Sequence, residues 1–234
     1  MDNSRTEFYH FDAAAIQRSF INRVYGWMTA GLAITGVMAY YIAGRWGAFA
    51  FQNRGLFYIL LLAEVLLVMG LSAAVRKISP IVATIGFIIF AALNGVTLSW
   101  IFLAFSSDSI TTTFLSTSLT FGAMGLYGWI TKRDLTSLGN LAFMFLIGLV
   151  ISSLVNLFWN NSTFDLIISA VGILVFVGLT AYDTQKLKNL SLALANGEIS
   201  EGEGKKLAIF GALELYLDFI NLFLYLLRFL GNRK

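Results

Sequence analysis

Two aspartates, Asp183 in "AYDTQ" and Asp218 in "LYLDF", are the residues whose types and setting suit chemistry best. Each is an acid inside or at the end of a long apolar run, where an ionised carboxylate costs on the order of 2.5 to 3.5 kcal/mol on insertion scales. Two carboxyls in one poorly hydrated site cannot both ionise cheaply, so such a pair shares a proton and titrates as a unit. That is a pH switch made without histidine. Once deprotonated, the same oxygens suit a hard cation such as Ca²⁺, and two carboxylates without a rigid loop imply weak, transient binding rather than storage. Glu214 precedes Asp218 by four residues on the same helical face, either as a third ligand or as a side chain reaching toward the membrane surface. Glu64 is the remaining acid at membrane depth, and Arg76 is a cation at the end of its segment.

Other chemistries lack their residues. The chain has no cysteine, which excludes disulfides, thiolate nucleophiles and iron–sulfur ligation, and its single histidine, His10, lies in the polar N-terminal segment. No Ser/His or Cys/His pair exists, HExxH does not occur, and no GxGD follows "AYD" as an aspartyl protease would require. The expectation is a protein that is not an enzyme and has no resident cofactor. No run of Lys and Arg interleaved with aromatics offers a nucleic-acid surface.

The elements that must position the acids follow from composition. Of 234 residues, 58% are hydrophobic and 12% charged, far below the roughly 25% charged of soluble domains. The chain is therefore read as an integral membrane protein. Seven apolar stretches are long enough to span as helices: 24–43, 56–75, 81–105, 110–130, 138–159, 165–187 and 207–230, behind an N-terminal arm at 1–23. The breaks between them are short, and only "KNLSLALANGEISEGEGKK" reads as a real loop. Pro80 reads as a helix start. Gly122, Gly125 and Gly128, and Gly26 with Ala30, have the spacing of close helix packing.

With the N-terminus in the cytosol and seven crossings, the sixteen Lys and Arg divide eleven inside to five outside, as the positive-inside rule favours. A last segment that only half crosses would move three of those five back. On this topology Asp183 lies four residues before Leu187, about 6 Å from the inner end of segment six, and Asp218 lies about 10 to 16 Å into segment seven. The two acids then approach one another at an indented cytosolic mouth. Read alone, Asp183 has a second, less favoured reading as a helix-end residue beside solvated lysines.

The runs "YGWITKRDLTSLGN", "FVGLTAYDTQKLKNL" and "LELYLDFINLFLYLLRFLG" resemble the Bax inhibitor-1, or transmembrane Bax inhibitor motif, family in its bacterial branch, and the likeness extends over nearly the whole chain from "VYGWMTAGL" onward. The resemblance implies an all-α membrane protein of seven helices, six in two three-helix layers around a central C-terminal helix, in a bacterial inner membrane. It implies a pH-sensitive calcium leak channel gated by an aspartyl pair, which on matching motifs is Asp183 and Asp218. It also implies an arginine latch, for which Arg76 is the nearest candidate, one position off the family spacing. Glu214 stands where the family has a small residue. The partners expected are the bilayer, Ca²⁺ and protons. Three other readings stay open: a non-transporting interaction protein that modulates membrane proteolysis or stress survival, a proton-coupled transporter, and, least, an intramembrane enzyme. No clear inverted repeat supports the transporter.

Overall fold

The computed structural model describes residues 3–52, 54–74 and 77–232. Among them the chain is helical almost throughout: α1 (Asn3–Gln52), α2 (Arg54–Ala74), α3 (Pro80–Leu98), α4 (Trp100–Ala104), α5 (Ser107–Ile130), α6 (Thr136–Trp159), α7 (Ser162–Ala195) and α8 (Glu201–Leu230). Helices satisfy their own backbone, which is what lipid demands of an apolar chain.

The breaks have local causes. Ser79 caps α3 by accepting from the Val82 N–H at 3.4 Å, with Pro80 in the first turn as the sequence predicts. Ser106 does the same for α5 through the Ser109 N–H. Asn160 ends α6 in the left-handed region at φ 50°, and Asn161 then caps α7 by accepting from the Phe164 N–H at 3.0 Å. The predicted third segment is divided, because at Ser99 the backbone and hydroxyl both turn back to the Val96 carbonyl, separating α3 from α4.

The predicted long loop is not one. α7 continues through Ala195 and α8 begins at Glu201, so only residues 196–200 remain as a turn, with Gly197 at φ 77°. The added turns pack: Leu187 and Ser191 are buried, and Leu194 lies against Gly204. The acids and glycines that suggested a loop belong to the first turns of α8, where Glu201 and Glu203 meet the positive end of the helix.

Five of the described helical segments are long and apolar enough to cross a membrane: Ala13–Arg45, Pro80–Ala104, Thr136–Trp159, Ser162–Ala195 and Glu201–Leu230, with Tyr58–Ala74 a shorter apolar helix. α6 exposes Phe143, Met144, Ile147, Val150, Ile151, Leu154 and Phe158, a surface suited to lipid and not to water. α8 is the opposite case: 67% of its most apolar stretch is buried, against 11% for α6.

The chain forms two compact units, Met1–Leu103 with Leu187–Tyr216, and Ala104–Lys186 with Leu217–Lys234. In the first, α1 and α2 pack on α3, and Gly95 of α3 approaches the backbone of Thr35. In the second, Gly128 of α5 meets the backbone of Ala181 on α7, and the rings of Phe114 and Phe121 pack edge-on against Phe219 of α8 at 5.5 and 5.4 Å. Of the predicted packing glycines, Gly128 is thus in contact, whereas a Cβ on Gly122 or Gly26 would meet open space. Spacing puts all three on helix faces but does not say which face has a neighbour.

Candidate functional site

Asp183 and Asp218 both belong to the second unit. Asp183 is half-buried on α7, and Asp218 on α8 is 4% exposed. Two polar atoms here, Asp218 Oδ2 and Thr184 Oγ1, are shut off from solvent.

α7 and α8 run antiparallel in this unit, and their register is fixed by three contacts. Arg228 pairs with Asp165 at 3.3 Å, Tyr225 lies over Gly172, and Tyr225 stacks on Phe176 with ring centroids 5.8 Å apart. Seven residues along a helix return to nearly the same face, about 20° off. Asp183 is seven residues beyond Phe176, and Asp218 is seven residues before Tyr225. Each acid therefore lies two turns beyond its ring, Asp183 on nearly the face of α7 that carries Phe176 and Asp218 on nearly the face of α8 that carries Tyr225.

Neighbouring elements define this level of α7. Gly139 of α6 lies against the ring of Tyr182, and Gly128 lies against Ala181. Two residues past Asp183, Gln185 accepts from the Leu135 N–H at 2.9 Å and donates to the Arg133 carbonyl at 2.8 Å, tying the α5–α6 turn to α7. In that turn Asp134 accepts from both the N–H and the hydroxyl of Thr136, which holds its carboxyl below the usual carboxylate range. The "AYDTQ" run thus carries a turn-fixing amide beside its acid.

The other predicted residues are placed as follows. Glu214 is half-buried on α8 in the first unit. Arg76 lies outside the described residues. Among the described residues no three His, Cys, Asp or Glu side chains come together as a metal site.

Sequence reasoning missed two features. One is the Asp165–Arg228 ion pair, in which Arg228 also lies 5.8 Å from the Tyr225 ring centre. It sets the end of α8 beside the first turn of α7, so the last helix reaches as far as α7 does. The other is a buried polar chain in the first unit. Glu64 Oε1 accepts from the Thr97 hydroxyl at 2.7 Å, and Glu64 Oε2 lies 3.2 Å from the Asn94 amide. The other atom of that amide lies 3.2 Å from the Tyr216 hydroxyl, which is 2.6 Å from Thr35, whose own hydroxyl donates to the Ala91 carbonyl at 2.8 Å. The one sequence signal was Glu64 itself, an acid at membrane depth.

Fold and site define a multi-helix membrane protein with acids held among apolar helices. The family profile described as Inhibitor of apoptosis-promoting Bax1 matches residues 17–234, and the chain belongs to this Bax inhibitor family. It is 47% identical over 219 residues to the inner membrane protein YbhL of Escherichia coli K12, covering 93% of each chain. It is 42% identical over 222 residues to an uncharacterized protein of Borreliella burgdorferi, covering 94% of each, and 43% identical over 217 residues to one of Deinococcus radiodurans, covering 93% of this chain and 91% of that one.

Proposed function

We propose that this chain is a pH-sensitive leak pathway for cations, calcium foremost, gated by the acid pair Asp183 and Asp218 and serving ion homeostasis under stress in a bacterial inner membrane. The single observation that supports the reading is the Phe176–Tyr225 stack, from which a seven-residue step along each helix would bring the two acids toward one another. A shared proton would neutralise the pair, and its loss would create a site for a divalent cation. Arg76 is carried from the family resemblance alone as the candidate counter-charge, and no catalytic step is proposed.

The same reading takes the chain across the membrane seven times with the N-terminus in the cytosol. α5 is the least apolar candidate, and its hydroxyls support its crossing: Thr111, Ser116, Thr117 and Ser118 each donate to the carbonyl four residues back at 2.8 or 2.9 Å. That internal pairing removes the cost of carrying hydroxyls into lipid. YbhL's description as an inner membrane protein supports the location.

The test is Ca²⁺ flux into proteoliposomes from about pH 6 to 8, the range in which a coupled carboxyl pair titrates. Asp218→Asn should change the pH dependence, and an unchanged profile would overturn the reading.

A second reading, an interaction protein acting on membrane proteolysis or stress responses, is favoured by a different observation. In the first unit Ile16, Phe20 and Arg23 of α1 line a pocket of about 390 Å³ with Leu194, Ile199 and Lys205. Deleting residues 1–20 would then abolish function, while amide replacements of both acids would leave it intact.

A further inference from the structure

The polar chain of the first unit can be counted proton by proton. Five short contacts join its helices: Ala91 carbonyl to Thr35, Thr35 to Tyr216, Tyr216 to Asn94, Asn94 to Glu64, and Glu64 to Thr97, whose hydroxyl also lies 2.9 and 3.4 Å from the Asn94 and Leu93 carbonyls of its own helix in either state. Glu64 is 6% exposed, Thr35 and Thr97 3%, and Tyr216 is fully buried, so these contacts rather than water must satisfy those four groups, while Asn94 between them is half-buried.

With Glu64 ionised, the carboxylate only accepts. Thr97 and the Asn94 amide nitrogen both donate to it, which leaves the amide oxygen to accept from Tyr216. Thr35 then has one proton for two contacts, the Ala91 carbonyl at 2.8 Å and Tyr216 at 2.6 Å. One contact goes without a hydrogen. With Glu64 protonated and the Asn94 amide turned over, the count closes. Glu64 Oε2–H donates to the amide oxygen, the amide nitrogen donates to Tyr216, Tyr216 to Thr35, and Thr35 to Ala91, while Thr97 donates to Oε1. Five protons fill the five contacts between helices, all running in one direction from Thr97 to Ala91.

We propose that Glu64 is a proton-binding site, occupied at neutral pH, that couples α2 and α3 to α1 and α8 by setting the direction of this hydrogen-bond chain. On release, the Oε2–H bond breaks, the proton passes to a buffer base, and the Asn94 amide and Tyr216 hydroxyl reverse. Few charges compete for control of the site. α3 has no ionisable side chain, α8 presents Tyr216, and α1 presents the Thr35 hydroxyl, with Arg23 and Arg45 twelve and ten residues away along the helix. On α2 the other ionisable groups are Arg54, which opens the helix, and Tyr58, which is exposed. Glu214 and Asp218 each lie two residues from Tyr216 and so on other faces of α8. The proposal is independent of the acid pair, and its failure would leave that reading untouched.

Infrared difference spectra of the purified full chain in nanodiscs test it. A protonated carboxyl band should be present at pH 7, shift on isotopic labelling of glutamate, and disappear in Glu64→Gln but not in Glu214→Gln. Tyr216→Phe is the decisive variant. It removes the contact that the ionised state cannot fill, so the ratio of protonated to ionised Glu64 should fall about tenfold, the equivalent of one net hydrogen bond. Burial alone predicts that the band titrates at the same pH in Tyr216→Phe as in the unmodified chain, whereas the proposal requires its loss about one pH unit lower; coincident titrations, or no glutamate-dependent band at pH 7, would overturn the proposal. Isotopic labelling of the unmodified chain keeps the test decisive even if Glu64→Gln fails to fold.

Discussion

Phe176 and Tyr225 stack with their planes 27° apart, and that pair sets the register of the two helices that carry Asp183 and Asp218. Phe176 is 4% exposed, and its ring packs on Tyr225 between α7 and α8. Phe176→Ala should therefore destabilise the protein by ~3 kcal/mol in detergent unfolding, in the range of buried Phe truncations. It should also blunt the pH dependence of Ca²⁺ flux without touching either acid. Phe176→Leu, which keeps most of the volume, should cost less than half as much. Stability and flux that both survive Phe176→Ala would show that the register is set elsewhere.

Gly128 and Gly122 make a controlled pair on one helix. A Cβ at Gly128 would collide with the Ala181 backbone, which cannot rotate away, whereas at Gly122 it would meet nothing. Gly128→Ala should cost about 1 to 3 kcal/mol through overpacking. Gly122→Ala should be neutral or stabilise by up to about 1 kcal/mol, because alanine orders the unfolded chain and favours helix. Thermal unfolding of the two variants side by side checks the contrast, and equal effects would contradict the close approach of α5 to α7.

How far the sequence discloses this arrangement depends on the kind of signal. Pro80 marks a helix start because its restricted backbone acts on its near neighbours, and α3 begins there; the caps Ser79 and Asn161 were equally local but were not read. The extension of α7 to Ala195 was not legible, since hydropathy registers lipid and these turns leave the apolar window while still packing through Leu187 and Leu194. Asp183 and Asp218 stood out individually as acids in apolar runs, but the aromatic stack two turns away on both helices was not legible. The Glu64 chain was invisible beyond its acid. It joins Thr35 to Tyr216 across 181 positions, and a threonine or tyrosine in a membrane helix has no spacing that distinguishes a hydrogen-bonded residue from a packed one.

Asp134 provides a pH control. Its carboxyl is held below the usual range by the Thr136 hydroxyl and N–H, and it is fully exposed. A depressed folded value stabilises above the unfolded value, about 3.9, and that contribution is lost as pH falls through the lower folded value. Nothing should change between about pH 6 and 8, far above both. Asp134→Asn should accordingly leave the flux profile in that range as it is, while removing part of the acid dependence of stability below about pH 4. A shifted neutral-pH profile would place gating in the α5–α6 turn.

The Asp165–Arg228 pair should matter more for position than for energy. The two side chains are 26% and 37% exposed, so solvent screens their attraction, and exposed pairs contribute about 0 to 1 kcal/mol. A double-mutant cycle with Asp165→Asn and Arg228→Gln should give a coupling below about 1 kcal/mol that shrinks further in high salt. Because Arg228 closes α8 against the first turn of α7, its loss should instead free the last turn. Hydrogen exchange at residues 226–230 should speed up in Arg228→Gln, while exchange around Phe219 and Leu222, held by rings and full burial, stays slow. A coupling of several kcal/mol would mean the pair is shielded from water and acts as a buried clamp.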